Sequence, residues 1–167
     1  YVVVSLFVNP SQFAAHEDFD EYPRDEKADI ALLEKEGVDL IFIPSIQEIY
    51  PFGKDVSVHV SVPVLSEGFC AVSRPHFYSG VCQVVLKLLQ LVSPKRLYLG
   101  EKDIQQVRVL ERMIADLFLT VEVIICPIVR EKDGLAMSSR NRYLKGGDRQ
   151  KASQIYASLI MAKSLCL

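Results

Sequence analysis

The chain has 167 residues, half of them hydrophobic and 24% charged, enough for one domain that buries roughly two-thirds of its unfolded surface. A net charge of −2 leaves no basic field of the kind nucleic acids require. The apolar stretch at residues 84–92 is interrupted by Lys87 and Gln90 and is too short to cross a bilayer, so neither nucleic acid nor membrane is an expected partner.

Residues 2–8 read as a strand buried on both faces, as in a parallel sheet. Asn9-Pro10-Ser11-Gln12 breaks it, and a polar loop runs to about Arg24. Residues 25–36 suit a helix, with Ile30, Leu32 and Leu33 inward and Gly37 as its stop. Residues 38–43 form a second buried strand ending at Pro44, and a helical turn at 46–50 ends at Pro51. Residues 56–62 alternate valine with serine and histidine, the period-two pattern of a half-exposed strand. Residues 68–75 read as loop, 80–92 as an apolar helix closed by Ser93-Pro94, and 96–99 as a short strand. A turn at 100–102 leads to a helix over 103–117 with Asp103 placed to cap it, followed by a strand at 119–126. Helical periodicity resumes near Gln150. Strands alternating with helices across short connections predict an α/β fold with a doubly wound, mostly parallel sheet.

Cys70, Cys82, Cys126 and Cys166 are widely spaced, which reads as reduced thiols in a cytoplasmic protein, mostly serving as packing residues. His16, His59 and His76 show no metal-ligand spacing. The sequence opens inside a strand pattern and stops at Leu167 inside a helical one, so further chain is expected at both ends.

Ligands of such sheets bind outside the carboxyl ends of the strands. Asn9 and Gln12 follow the first strand, and Lys102, Asp103, Gln105 and Gln106 follow the strand at 96–99. Ser138, Ser139 and Arg140 follow the last strand region, within Gly134-Leu-Ala-Met-Ser-Ser-Arg-Asn141. All three groups are expected at one edge of the sheet. Their amides and hydroxyls can orient a substrate, and their cations can neutralise phosphate oxygens. No nucleophile–base pair stands out, which leaves positioning and electrostatics, the usual means of phosphoryl and nucleotidyl transfer.

Five ordered segments carry a resemblance across essentially all 167 residues. They are Phe7-Val-Asn-Pro-Ser-Gln-Phe13, Tyr22-Pro-Arg24, Ser73-Arg-Pro75 with Gly80-Val81, Gly100-Glu-Lys-Asp-Ile-Gln-Gln106 and Arg130-Glu-Lys-Asp-Gly-Leu-Ala-Met-Ser-Ser-Arg-Asn141. In these the chain resembles the pantothenate synthetase (pantoate–β-alanine ligase) family. The resemblance implies a Rossmann-like nucleotidyltransferase sheet over residues 1–149, lacking its first strand, and a helix over 150–167 leading to a C-terminal domain. It also implies a homodimer that ligates pantoate and β-alanine through a pantoyl adenylate, releasing AMP and pyrophosphate, with ATP as substrate and Mg²⁺ as cofactor.

The same resemblance implies that Gln12 and Gln106 hydrogen-bond pantoate, with Asn9 nearby. It implies that Lys102, Ser138, Ser139 and Arg140 act on the ATP phosphates in catalysis, that Gly100 and Asp103 contact the ribose, and that Val129 and Met137 lie beside adenine. Asp29 is implied for Mg²⁺, and a closing loop near 18–24 for excluding water. The family's Pro-Thr-Met-Gly and His-x-Gly-His motifs belong before Tyr1, and its C-terminal domain after Leu167. Phe77 stands where the family commonly has histidine, and Leu99 where it has phenylalanine. On that footing the 167-residue chain alone is expected to be inactive. A noncatalytic fragment, or a related nucleotidyltransferase using another acid, remains the alternative.

Overall fold

A computed structural model of the chain describes residues 1–14 and 17–166. His16 and Leu167 lie outside the described residues. The elements are β1 (Val3–Ser5), α1 (Glu26–Lys35), β2 (Leu40–Phe42), α2 (Ile46–Ile49), α3 (Cys70–Ser73), α4 (Phe77–Val92), β3 (Arg96–Gly100), α5 (Ile104–Asp116), β4 (Glu122–Cys126), α6 (Gly146–Ala152) and α7 (Gln154–Leu165). Short 3₁₀ turns lie at Pro10–Gln12, Lys54–Val56, Glu101–Asp103 and Ser139–Tyr143.

The fold is mixed α/β with parallel pairing, as the alternation predicts. β1 pairs with β2 in the register Val3–Leu40 to Ser5–Phe42, and β3 pairs with β4 from Arg96–Glu122 to Gly100–Cys126. Among the described residues no ladder joins the two pairs. Helix α4 joins them instead. One side of it packs Val84, Val85 and Leu88 with Ile49, Tyr50, Phe7 and Phe42. The other packs Val81, Cys82 and Leu89 with α5 residues Val109, Leu110 and Met113 and strand residues Leu97, Leu99 and Val123. Cys82, fully buried, is one of these packing residues, and burial pushes its thiol up to about 11.

Several expectations are corrected. Residues 56–62 form no strand; they run alongside α4, where Gln83 donates to the Val58 carbonyl at 2.7 Å and Ser79 to that of Val60 at 2.9 Å. Side chains supply what a neighbouring strand would have supplied. On β3 one face alone is covered, so Tyr98 is 61% exposed while its neighbours Leu97 and Leu99 pack inward. Leu32 is 56% exposed because it lies off the stripe that Ile30 and Leu33 make at i, i+3 spacing. The expected loop at 68–75 contains the single helical turn α3. Asp103 stands at the N-cap of α5 but makes no capping bond, its carboxylate being paired with Lys102. The C-terminal helical region begins at Gly146, so α6 starts before the expected Gln150.

Candidate functional site at the carboxyl ends of the strands

Because each strand pair is parallel, each has both carboxyl ends on one side. The start of α4 brings the two sides together. Gly80, in its first turn, lies so close to the Pro10–Gln12 turn after β1 that an added Cβ would overlap the Ser11 carbonyl. Tyr78, two residues earlier, donates from its hydroxyl to Gln105 Oε1 at 2.7 Å, just after β3. The first and second polar groups therefore flank the same helix end.

Asn9 is the keystone of the first group and only 3% exposed. Its Oδ1 accepts from the Tyr50 hydroxyl at 2.7 Å and from the Ser11 N–H at 3.2 Å, while Nδ2 donates to the Gly80 carbonyl at 3.0 Å. An amide has two lone pairs and two N–H groups, so one N–H remains for a ligand. The Gln12 carbonyl accepts from Arg74 at 2.8 Å, and Arg74 also pairs with Glu17 at 2.6 Å. The Arg74 guanidinium stacks over Phe77 at 4.0 Å. Phe77 thus has a structural use that histidine would serve less well, since a neutral aromatic face holds a cation.

In the second group, Lys102 and Asp103 form an exposed pair at 2.9 Å. Such a pair is worth at most about 1 kcal/mol and yields readily to a multiply charged anion. Gln105 is turned away from this role. Its Nε2 reaches the carbonyls of Leu65, Glu67 and Gly68 at 3.2–3.4 Å and tethers that loop. Gln106 has no such partner among the described residues and is half-buried. Gly100 has open space at its Cβ position. Leu99 packs with the α4–α5 core.

The third group is built by its neighbours. Arg130 bridges to Ala136, bonds the Gly134 carbonyl at 3.0 Å and lies over the Tyr156 ring at 3.9 Å. Gly134 has φ +90° and its Cβ position is 2.5 Å from that ring, so only glycine fits. Arg149 of α6 holds Glu131 and Asp133, each at 2.6 Å, and Asn141 Nδ2 donates to Glu131 at 2.7 Å. Glu131 and Asp133 are thereby satisfied within the motif and by α6, while Ser138 and Arg140 are exposed and Ser139 is half-buried. Val129 and Met137 are joined by a 3.0 Å backbone bond and both are exposed.

Ser139 donates to the Tyr22 hydroxyl at 2.9 Å, a contact spanning 117 residues of sequence. Tyr22 packs edge-on against Phe13, next to Gln12. Arg140 forks onto Asp18 at 2.9 and 3.1 Å, and this hydrogen bonding holds the Asp18 carboxyl below the usual carboxylate range. The first and third groups therefore meet through Phe13 and Tyr22. No side-chain bond links Lys102 or Gln106 to Ser138–Arg140 among the described residues. Sequence reading missed Asp18, Glu17, Tyr50 and Tyr143, whose only signal was a polar loop and two unassigned tyrosines.

An open cleft of about 710 Å³ lies off the carboxyl ends of β1 and β2, lined by Val8, Tyr22, Asp29, Ser45 and Ser139 among others. Asp29 is exposed on this wall, beside Asp25, whose carboxylate caps α1 at the Ala28 N–H. No group of three or more metal-binding side chains occurs among the described residues. One exposed carboxylate suits Mg²⁺ only where phosphates and water complete its shell. Ser79 and His59 approach to 2.9 Å, but the Val60 carbonyl competes for the Ser79 hydroxyl at the same distance and no third group orients the imidazole among the described residues.

The sequence profile of the family described as Pantoate-beta-alanine ligase matches residues 1–165. A curated relative named pantothenate synthetase, from Thermotoga petrophila, is 55% identical over 99% of this chain and 59% of its own length. Another of that name, from Thermosipho melanesiensis, is 54% identical over 98% and 58%. The crystal structure of pantothenate synthetase from Thermus thermophilus superposes with a TM-score of 0.92 at 48% identity, over 96% of this chain and 58% of that one. That of the ligase from Francisella tularensis, complexed with beta-gamma ATP and beta-alanine, gives 0.88 at 41% identity, over 93% and 59%. The chain thus spans 58–59% of the length of these curated relatives.

Proposed function

The chain belongs to the pantoate–β-alanine ligase family, and from that premise we propose that the whole protein condenses pantoate with β-alanine using ATP. The observation that supports this best is the Ser139–Tyr22 contact, which sets the serine–arginine loop against the turn that holds Gln12.

In the first step a pantoate carboxylate oxygen attacks the α-phosphorus of ATP and pyrophosphate leaves. In the second, the amine of β-alanine attacks the acyl carbon of the pantoyl adenylate, loses a proton, and AMP leaves. Gln12 and Gln106 orient the pantoate hydroxyls and carboxylate, with the remaining Asn9 N–H beside them. Lys102 leaves Asp103 for the phosphates as negative charge builds on the departing pyrophosphate. Ser138, Ser139 and Arg140 hold the phosphates, Gly100 and Asp103 the ribose, and Val129 and Met137 the adenine. Mg²⁺ would arrive on the phosphates with Asp29 as its one protein carboxylate, and it supplies charge neutralisation when bound. The Leu99 side chain in place of an aromatic ring leaves the pantoate wall looser.

An acyl adenylate must be kept from water. Val129 and Met137 are 67% and 55% exposed here, so the 167-residue polypeptide made alone is proposed to ligate nothing measurable. We propose a cytoplasmic homodimer, with residues 1–149 as the nucleotide- and pantoate-binding unit. The test is steady-state formation of pantothenate by the full-length protein. Gln106→Ala should raise KM for pantoate by about tenfold or more, and Lys102→Ala should lower kcat about a hundredfold. A Lys102→Ala enzyme with unchanged kcat would remove the assigned role of that residue.

A further inference from the structure

We propose that Asp18 is a positioning residue for Arg140, holding its guanidinium so that one edge of the fork stays free for a polyphosphate. This rests on the reading in which Arg140 takes phosphate oxygens, and it goes beyond that reading by assigning the side chain that aims it.

A guanidinium offers five N–H groups in a plane, along two edges that can each grip a pair of oxygens. Asp18 occupies the side edge: Nε donates to Oδ2 at 3.1 Å and Nη2 to Oδ1 at 2.9 Å. Nη1 has no partner among the described residues, so the end edge, Nη1 with the second hydrogen of Nη2, points away from Asp18. Exposure follows the same division, with the Arg140 side chain 43% exposed and that of Asp18 only 23%. Asp18 is itself fixed, because the Tyr143 hydroxyl lies 3.2 Å from its Oδ2. The Tyr22 ring flanks the guanidinium at 5.1 Å.

Fixing the side edge removes rotamer freedom that Arg140 would otherwise lose on gripping its ligand. The arrangement also ties residues 17–24 to the phosphate subsite. An arginine held by only one wall could swing out with the anion; one forked onto a half-buried carboxylate cannot do so without breaking two charge-assisted bonds.

The experiment is calorimetric titration of ATP into the full-length protein, with the melting temperature recorded for every variant. Asp18→Asn is expected to weaken ATP about tenfold and Tyr143→Phe about twofold to threefold. Asp18→Glu, which keeps the charge, should bind more tightly than Asp18→Asn, while pantoate affinity changes less than about twofold in all three. In an Arg140→Gln background Asp18→Asn should add nothing further, because the two residues act as one unit. Equal weakening with and without Arg140, or ATP affinity within about twofold of wild type, would overturn the proposal. Should Asp18→Asn fail to fold, unchanged ATP binding by Tyr143→Phe overturns it and a loss specific to ATP supports it. Wild-type protein that binds ATP but makes no pantothenate overturns the ligase reading alone; protein that binds no ATP overturns both.

Discussion

Asn9 shows how much of one residue's bonding capacity the fold itself takes up. Both lone pairs of its Oδ1 and one of its N–H groups are used inside the protein, on Tyr50, Ser11 and Gly80. Asn9→Ala would leave the Tyr50 hydroxyl and the Ser11 N–H without their acceptor and cut the tie to the Gly80 carbonyl, and should cost about 2–3 kcal/mol in a denaturant titration. A loss below about 0.5 kcal/mol would mean that these bonds do not lock the turn to α4. That Asn9 is a polar residue directly after the first strand was readable from the sequence. That Tyr50, 41 residues away, would be its partner was not, because hydrogen-bond partners distant in the chain leave no local signal. Lys102, Ser138 and Ser139 were legible as polar residues after strands. Asp18 was not, since a carboxylate in a polar loop looks the same whether solvated or forked onto an arginine.

At the scale of elements, the meeting of α4 with the Pro10–Gln12 turn decides where the first two polar groups lie. Gly80 permits it: any side chain there meets the backbone of Ser11, which cannot move aside as a flexible side chain could. Gly80→Ala is therefore expected to destabilise the protein by about 2 kcal/mol and to weaken pantoate binding through displaced Gln12. Full stability in the variant, read by thermal melting, would show that the turn is not so tightly seated. Periodicity gave the helices well because their apolar stripes are local. It misread residues 56–62, where the valine alternation is genuine, with Val60 and Val62 packed on the core. Whether such a segment becomes a strand depends on a neighbour to pair with, and α4 side chains took that place. Tyr98 makes a related point: composition tells that a strand is apolar, not which of its faces is covered.

For the molecule as a whole, parallel pairing puts each pair's carboxyl ends together; the start of α4 sets the first polar group near the second, and Phe13 and Tyr22 set the first against the third. The positions of the polar residues after strands lead to the expectation that all three groups converge; side-chain bonds set the third against the first, and none joins it to Lys102 or Gln106 among the described residues. The contact between the first and third groups, Ser139 with Tyr22, depends on residues 117 positions apart and follows from the α/β topology rather than from either segment. The central claim is that this edge activates a carboxylic acid as its adenylate before any amine takes part. Exchange of labelled pyrophosphate into ATP by the full-length protein, with pantoate present and β-alanine omitted, tests it most directly. Exchange that requires pantoate and is lost in Lys102→Ala is the predicted result; exchange that is absent, or that proceeds equally without pantoate, would contradict the account.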